Sequence, residues 1–562
     1  MKHFCFTGSP FVDAGVAGMC AASGVKSFTE LNKEAVKSAV DTLLRVMVSD
    51  SMFKKRVIGK KETALATSEM TIIFPNGPLS QSSYPTIARK REEYAKRVQK
   101  KYQAFQQSMS GPSEDLGFGT CFVDGSFAVA RVGNDEFPLV DSKSKRNFHP
   151  GLQGGHAVGS FTALALEFFP LSVLRTGINS GFFWFVHTAY EKIAIACAEM
   201  TLQTMNDQIA RAEGLGFFGD WEIPSRDKDA ALVALIHDLV TGRKQEAISS
   251  KEIEKGGFPV TAYEFSNDNR GPQILANDLP HNLFVFFDEL RHRDIANGRF
   301  KREVMQDQYF GYSTKMRLSV AQRMLNKQPI ISSCVVRPKD NASGRLRGGW
   351  EAQSLYAVEV LKLSNTFIRD VEAVSRRIVE SEKAKDWILM LQRRETNVGV
   401  AFLRLSRNDL MTFDEYTRLV PAEDRYAAFT ARDYLLAAIY ERQYATERDQ
   451  DFVPWSGLGD EEAPVKHPLI LLAERVGAAI IAKSGLGQKV ATGLAQSNRL
   501  SDLRSVLLRR VRGGEVLWND FVCIFPPEYK STSYLMRDYL LAYLYDALND
   551  PDLPEPEVTD EA

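Results

Sequence analysis

The hexapeptide Arg-Asp-Tyr-Leu-Leu-Ala occurs twice in this chain, at 432–437 and at 537–542, each time within an apolar stretch of helical periodicity. A tyrosine follows each copy at the same offset, as Tyr440 and Tyr545. Strand signals are scarce from residue 401 onward, so this part is expected to be helical. One pair of similar helices is too few for a solenoid and indicates instead a helical bundle with related layers.

The N-terminal part mixes two kinds of element. Phe182–Phe185 is typical of a core strand, whereas 158–166 and 190–205 have the pattern of buried helices. A helix of small residues is expected from Asp13, which would be its N-cap, and its glycine spacing favours close packing on a neighbouring helix. His187, which ends the core strand, is expected to be a hydrogen-bonded core residue.

These patterns predict an α+β fold in which a large mixed N-terminal domain is followed by an all-helical C-terminal bundle. The predicted divisions are a mixed α/β recognition domain at 1–290, a middle region with a basic loop at 291–404, and the bundle at 405–562. The bundle ends in an acidic, proline-containing tail from Asp546 that is expected to be disordered.

Composition excludes few functions. The chain has 562 residues and a net charge of -1, so its total charge favours no acidic partner. Its six cysteines form no Cys-x-x-Cys pair, which fits a reducing cytoplasm. The N-terminus lacks the pattern of a signal peptide, and no window approaches the roughly 18 apolar residues that span a membrane. We therefore expect a cytoplasmic location and no membrane partner.

The stretch from Pro259 to Phe287 is the first candidate for contact with a ligand. A strand-forming run is followed at 266–272 by Asn, Asp, Gly and Pro, which favour a turn. Asn267 and Asn269 can donate and accept hydrogen bonds, and Arg270 adds a guanidinium, a set that suits a base edge. The alternative is a hairpin in which the Asn and Asp residues only build the turn.

A second candidate is the basic segment 51–101, which has twelve Lys and Arg against four Glu. An apolar strand at Ile72–Phe74 is expected to end in a polar loop that carries Asn76 and Gln81. Phosphate contacts supply affinity and base contacts supply specificity, so basic arms around a polar loop suit both. The alternative is a solvated helix over 86–107. The predicted phosphate contacts are Lys54, Lys55, Arg56, Lys60, Lys61, Arg89, Lys90 and Arg91.

Two further basic regions lie in the second half of the chain. The segment 337–350 is expected to be a flexible loop in which Arg345 and Arg347 follow a nucleic-acid backbone and Trp350 stacks on a base. Arginines with helical spacing, including Arg509 and Arg510, lie between 499 and 512 and are expected to bind nucleic acid as well.

No motif of an active site, a nucleotide-binding loop or a metal centre is found, so we expect no catalysis, no cofactor and no metal. The alternative is a metal-dependent nuclease built from acidic and histidine side chains that lie close together in the sequence. Its candidate ligands are Asp278, His281, Asp288 and His292.

Four segments recur in a characteristic order over patches of roughly residues 4–290. They are Thr7–Gly15, Phe137–Leu139 with Asn147-Phe148, Phe168–Leu171 with Phe183–His187, and Phe265–Asn267 with Gly271-Pro272 and Leu279-Pro280. In this order they resemble the large subunit of type I-B CRISPR Cascade surveillance complexes.

One feature departs from this family, many members of which carry two Cys-x-x-Cys pairs. Here the equivalent stretch has Cys121 alone, with His149 and His156 as the nearest further candidates. A structural zinc needs four ligands. We therefore expect a small hairpin and no zinc at this position, and the exact subfamily stays open.

The resemblance implies a non-enzymatic subunit that recognises the protospacer-adjacent motif, supports unwinding of target double-stranded DNA and recruits an effector in antiviral defence. Its implied partners are a guide RNA, the backbone and handle-binding Cascade subunits, and a helicase-nuclease or a transposition factor. The alternative from another class is a helical scaffold or adaptor in a transposon-associated version of the complex.

Members of that family often produce a small subunit from an internal start, and the helical bundle resembles such a subunit. Met411 precedes Thr412 and Asp414, either of which can cap a first helix, and a start there yields 411–562. We predict that mass spectrometry of the natively expressed protein finds this second product. A single full-length species would contradict the prediction.

Overall fold

A computed structural model describes most of the chain. The described residues are 6–58, 61–110, 118–138, 154–175, 183–217, 227–241, 248–256, 259–268, 271–307, 310–312, 318–336, 344–393, 397–421, 424, 427–457, 466–526, 530–550 and 552–554. They form two compact units, Met1–His292 with Met305–Asn326, and Arg293–Val304 with Lys327–Ala562. The first unit mixes helices and strands and the second is mainly helical, so the predicted α+β class is confirmed.

Short elements of both kinds alternate up to residue 292. The helices are α1 (Pro10–Ser23), α2 (Lys33–Met47), α3 (Ala66–Ile73), α4 (Ile87–Ser110), α5 (Ser160–Phe168), α6 (Glu191–Ala210), α7 (Lys228–Thr241), α8 (Ser250–Lys255) and α9 (His281–Arg291). The strands are β1 (Lys55–Ile58), β2 (Lys61–Leu65), β3 (Ala130–Val132), β4 (His156–Val158), β5 (Leu174–Arg175), β6 (Phe183–His187), β7 (Thr261–Asp268) and β8 (Gly271–Asp278). Three 3₁₀ turns lie at Phe28–Glu30, Asp50–Phe53 and Phe169–Ser172.

Four of these strands form one antiparallel sheet in the order β5-β6-β7-β8. Phe183 of β6 lies opposite Phe265 of β7, which in turn lies opposite Ile274 of β8. The described strand β6 thus confirms residues 183–185 of the predicted core strand, and residue 182 lies outside the described residues. The strands of the pairs β1-β2 and β3-β4 are also antiparallel.

Helix α1 packs against α5 at backbone distance. A Cβ atom on Gly15 would lie 2.1 Å from the carbonyl oxygen of Ala165, and one on Gly18 would lie 2.6 Å from that of Phe168. The predicted close approach of the small-residue helix is therefore confirmed. Its predicted start is wrong, because the helix begins at Pro10 after an extended Ser9. Proline favours this first helical position since its φ is already helical.

Asp13 ties the start of α1 to the sheet instead of capping the helix. Its carboxylate accepts hydrogen bonds from the backbone N–H groups of Thr7 and Gly8, at 2.8 and 2.9 Å. The Nε2 atom of His187, at the end of β6, lies 3.1 Å from the same carboxylate. The predicted hydrogen bonding of His187 is confirmed, whereas its predicted place in the core is only half met, because the ring is half-buried and stacks on Phe6.

Five phenylalanines from the four segments of the family resemblance meet in one cluster. Phe11 of α1 is the hub, with its ring centroid 5.1 to 6.4 Å from those of the other four. The cluster joins segments that are up to 254 positions apart in the sequence. Its other members are Phe137, Phe169, Phe185 and Phe265.

Among the described residues from 293 onward, the regular elements are helices apart from two short strands. The elements are α10 (Asp294–Phe300), α11 (Val320–Leu325), α12 (Ile331–Cys334), β9 (Val335–Val336), β10 (Arg345–Leu346), α13 (Trp350–Glu359), α14 (Asn365–Glu380), α15 (Ala384–Gln392), α16 (Val398–Arg407), α17 (Phe413–Leu419), α18 (Ala427–Glu447), α19 (Pro468–Ile481), α20 (Leu486–Ala495), α21 (Leu500–Arg512), α22 (Trp518–Ile524) and α23 (Lys530–Leu548). A π-helical turn lies at Lys301–Met305, and α11 belongs to the first unit.

The two Arg-Asp-Tyr-Leu-Leu-Ala helices are the centres of two layers in the second unit. The first copy lies in α18, which packs against α13, α14 and α15, and the second lies in α23, which packs against α19, α20 and α22. Helices α16 and α17 contact both central helices. Within each copy the arginine pairs with the adjacent aspartate, which keeps both charges compensated inside the bundle. The predicted bundle with related layers is confirmed.

One predicted domain limit cuts through a helix of the second unit. The limit between 404 and 405 falls inside α16, which contacts both α18 and α23. Met411 is buried, and Thr412 caps α17 in a capping box with Glu415, as predicted. A product that begins at Met411 lacks α14 and α16 and so exposes part of both central helices. The internal start stays a prediction.

The predicted disordered tail is wrong at its beginning. Asp546 lies in the last turn of α23, where its carboxylate accepts a hydrogen bond from the N–H of Phe413. Leu553 is buried, and the hydroxyl of Tyr545 donates to the carbonyl of Pro554. Residues 555–562 lie outside the described residues. Over the described part of the chain, every helix is too short or too polar to cross a membrane.

We predict that Gly15→Ala lowers the free energy of unfolding by about 1–3 kcal/mol, because the added methyl group meets a backbone carbonyl that cannot move aside. The higher helix propensity of alanine alone would raise the free energy of unfolding by about 1 kcal/mol. A decrease therefore identifies the clash with the backbone carbonyl. Thermal unfolding followed by circular dichroism measures the change. The control is Gly298→Ala in α10, where the nearest atom is the end of a flexible Arg302 side chain. A Gly15→Ala variant as stable as the control variant would contradict the close packing.

Candidate nucleic-acid interface

The hairpin β7-β8 lies at the first candidate site. The predicted break from Ser266 is wrong, because β7 continues to Asp268 and β8 begins at Gly271. The described pairs of β7 with β6 end at Phe265, whereas its pairs with β8 continue to Asp268. Asn269 and Arg270, between the strands, lie outside the described residues, and the side chain of Asn267 is also outside them. Their predicted base contacts stay predictions.

The basic arm before this sheet is only partly available to a ligand. Lys54 and Lys55 are exposed, and the Lys55 amine pairs with the carboxylate of Glu62 at 3.2 Å. Arg56 is 3% exposed and lies 2.5 Å from a carboxylate oxygen of Glu69. The predicted phosphate contact at Arg56 is therefore wrong for this conformation. Lys60 lies outside the described residues, and so does the side chain of Lys61.

Glu69 holds a second guanidinium as well. Arg175, at the end of β5, donates a hydrogen bond to Oε1 of Glu69, the oxygen that also lies 2.5 Å from the Arg56 guanidinium. Burial lowers the pKa of each arginine to about 10, and for Arg175 the charge of Arg56 adds to the effect. One carboxylate that binds two buried arginines joins α3, β1 and β5, so this triad is a structural element.

Helix α4 confirms the predicted helix over 86–107, and its charges are largely neutralised within the first unit. Arg89 pairs with Glu92 and Glu93 on the same helix. Arg91 lies 2.5 Å from Asp50, and Lys90 donates to the carbonyl of Leu79. Burial lowers the pKa of Lys90. The alternative of a solvated helix without phosphate contacts fits Arg89, Lys90 and Arg91 better, because each of them already has a partner within the first unit.

The polar loop that precedes α4 is built differently from the prediction. Ile72 and Ile73 end helix α3, so the predicted apolar strand is wrong. Asn76 is exposed and donates a hydrogen bond to the side chain of Asn134, whereas Gln81 is half-buried. The hydroxyl of Ser80 closes the loop on the carbonyl of Phe74. Asn76 is therefore accessible to a ligand, and contact of either amide with a base stays a prediction.

Only the C-terminal end of the predicted basic loop, 344–350, is described, and it belongs to the second unit. Arg345 in β10 pairs with Glu303 at 2.8 Å, and Arg347 is half-buried. Trp350 is 2% exposed, and its indole N–H donates to the carboxylate of Glu372. The predicted stacking of a base on Trp350 is therefore wrong. Residues 337–343 lie outside the described residues.

Helix α21 presents a different arrangement. Arg504, Arg509 and Arg512 are exposed on its outer side, and no described carboxylate lies within ion-pair distance of them. Arg510 is half-buried, and Leu503 and Leu507 hold the opposite side of the helix in the bundle. Leucines on one side and arginines on the other are the expected arrangement for a helix that packs on one face.

Two acidic residues that follow α21 in the sequence are paired with cations from another part of the bundle. Glu515 accepts a hydrogen bond from Lys483 at 2.8 Å, which lowers the pKa of Glu515. Asp520 lies 2.5 Å from Arg475. The described residues show no ion pair of Arg504, Arg509 or Arg512 with these two carboxylates. The outer side of α21 is therefore a basic surface that the described carboxylates leave uncompensated.

An aromatic ladder on α22 adjoins this surface. Trp518, Phe521 and Phe525 have successive ring centroids 5.5 and 4.8 Å apart. The guanidinium of Arg504 lies 5.4 Å from the centroid of Phe525. The sequence analysis missed these aromatics, although their spacing at positions i, i+3 and i+7 places them on one side of a helix.

The nuclease alternative finds no support in the side-chain arrangement. Asp288 is buried and pairs with Arg291, and Asp278 accepts a hydrogen bond from Thr261. His281 opens α9, and His292 follows its end. Over the part of the chain that is described, no three His, Cys, Asp or Glu side chains gather as metal ligands. At the predicted site of a lost zinc knuckle, Cys121 lies in a small hairpin closed by the bridge Thr120–Phe127.

Comparisons with protein-family models, with curated proteins and with solved structures find no match to this chain.

We predict that Glu69→Gln lowers the free energy of unfolding by about 3–5 kcal/mol, because two buried guanidinium groups lose their shared carboxylate. Glu62→Gln is the matched control, since its pair with Lys55 is exposed and changes stability by about 0.5 kcal/mol or less. Urea unfolding measures both variants. If the two variants were equally stable, the structural role of the triad would be contradicted. Arg56 would then again be a candidate for phosphate contact.

Proposed function

We propose that this protein is a non-enzymatic nucleic-acid-recognition subunit. The observation that supports it most directly is the exposed arginine surface of α21, formed by Arg504, Arg509 and Arg512, which the described carboxylates leave uncompensated. Proteins bind phosphate chains chiefly through such arginines, and the released counterions make the binding salt-dependent.

The sequence resemblance makes the proposal more specific. The protein acts as the large subunit of a type I-B Cascade, with a guide RNA and the backbone and handle-binding subunits as partners. It recognises the protospacer-adjacent motif, supports unwinding of the target DNA and recruits an effector in the cytoplasm. Base pairing with the guide reads the long target, which leaves only a short motif for the protein to read.

The aromatic cluster around Phe11 supports this reading of the sequence. The four segments that carry the resemblance contribute to one packed core, so they are parts of a single structural element. Phe265 of this core belongs to β7, so the core anchors the hairpin β7-β8. The amides of Asn267 and Asn269 suit contact with base edges.

We predict that the triple variant R504Q/R509Q/R512Q binds single- and double-stranded oligonucleotides more weakly and with a lower salt dependence. Loss of three phosphate contacts reduces the slope of log K against log salt by about 2–3. Fluorescence anisotropy over a series of NaCl concentrations measures the slope.

The control variant is R89Q/R91Q/K96Q, which removes the same charge from side chains already paired with Glu92, Glu93 or Asp50. It is expected to keep the slope of the unmodified protein. A salt-independent interaction, or an equal loss of slope in both variants, would contradict the proposal and favour a scaffold without direct nucleic-acid contact.

A further inference from the structure

The ladder on α22 ends in an open aromatic face. Trp518 and Phe521 are nearly parallel, with 25° between their ring planes, so Phe521 covers one face of the indole. Trp518 is nevertheless 59% exposed. The other face of its indole is therefore largely in contact with solvent. Phe525, at the opposite end of the ladder, is buried beneath the guanidinium of Arg504.

Two neighbouring apolar side chains are exposed as well. Leu517 is 65% exposed and Val522 is 47% exposed. A large aromatic side chain contributes about 150–250 Å² to a contact when it is buried, and contiguous apolar exposure on a folded protein marks an interaction site. The surface around Trp518 thus has the character of a binding surface rather than of a solvated helix.

The charged residues around the aromatic ladder limit which ligands can bind this surface. Residues 499–526 contain five arginines, Arg499, Arg504, Arg509, Arg510 and Arg512, against Asp502, Glu515 and Asp520. Two of these acids are neutralised by Lys483 and Arg475, as described above. A ligand that fits must therefore be anionic along its length and must present a flat apolar face.

Single-stranded nucleic acid meets both conditions. Its unpaired bases can stack on an indole, and its phosphates can contact arginines that are spaced along a helix. Arg504 and Arg512 are eight residues apart, which corresponds to about 12 Å along α21. A duplex stacks its bases on each other and offers no free base face except at its ends.

We propose that the surface formed by α21 and α22 binds single-stranded nucleic acid, with one base stacked on Trp518 and the phosphates held by Arg504, Arg509 and Arg512. This inference rests on the proposed function and names the form of nucleic acid that this surface takes. The stacking makes the site tolerant of base sequence, because every base has a flat face.

The test compares full-length Trp518→Ala, Trp518→Phe and the unmodified protein with fluorescein-labelled probes. The probes are a 20-nucleotide thymidine strand, the same strand with abasic sites, the uridine equivalent and a 20-base-pair duplex. Trp518→Ala is expected to bind the thymidine strand about tenfold more weakly and the duplex unchanged. Trp518→Phe, which retains a ring, is expected to keep most of the affinity. The abasic strand should not distinguish Trp518→Ala from the unmodified protein.

The control variant is Phe429→Ala, which removes another exposed aromatic beside an arginine of the same unit. It is expected to leave binding of the thymidine strand unchanged, and thermal unfolding verifies that each variant is folded. Binding of thymidine or uridine strands with this Trp518 dependence supports the proposal.

If binding is salt-dependent but is unchanged in Trp518→Ala, the stacking site is overturned and the proposed function is retained. Absence of salt-dependent binding to every probe overturns both. Equal losses for strand and duplex in Trp518→Ala would also overturn the stacking site, because stacking on an exposed indole requires an unpaired base.

Discussion

The contact of Phe11 with four other phenylalanines is the interaction on which the N-terminal unit depends. Phe11 lies one position into α1, and the backbone of α1 approaches α5 closely enough to exclude a side chain at Gly15 and Gly18. This approach brings the ring of Phe11 against Phe169 and the sheet residues Phe185 and Phe265. The hairpin β7-β8 is consequently fixed by the same core that fixes the start of the chain.

Ion pairs with nearby carboxylates determine which basic side chains remain available to bind phosphates. In the N-terminal unit the carboxylates of Glu69, Glu92 and Asp50 hold arginines that the sequence alone assigns to phosphate contact. In the second unit Glu515 and Asp520 are paired with Lys483 and Arg475, and Arg504, Arg509 and Arg512 of α21 are exposed. The exposed, unpaired arginines of α21 therefore lie outside the basic segment 51–101 that the sequence favours.

Local patterns were sufficient to predict the class of fold and the main helices. Helical periodicity predicts α4, α5 and α6, and the repeated Arg-Asp-Tyr-Leu-Leu-Ala predicts two related central helices. The run Ile72–Phe74 was misassigned because a short apolar run fits a strand and a buried helix end equally well. The contacts of Arg56, Arg91 and Trp350 could not be predicted, since their partners Glu69, Asp50 and Glu372 lie 13, 41 and 22 positions away. Sequence spacing does not show such pairs.

Photocrosslinking tests the central claim most directly. A thymidine strand that carries 4-thiothymidine is crosslinked to the full-length protein, which is then digested with trypsin and analysed by mass spectrometry. Cleavage after Arg512 and Lys530 releases a peptide that contains Trp518, Phe521 and Phe525. The account predicts that this peptide, 513–530, carries a major crosslink. Crosslinks confined to peptides of α4, with none in 513–530, would contradict it.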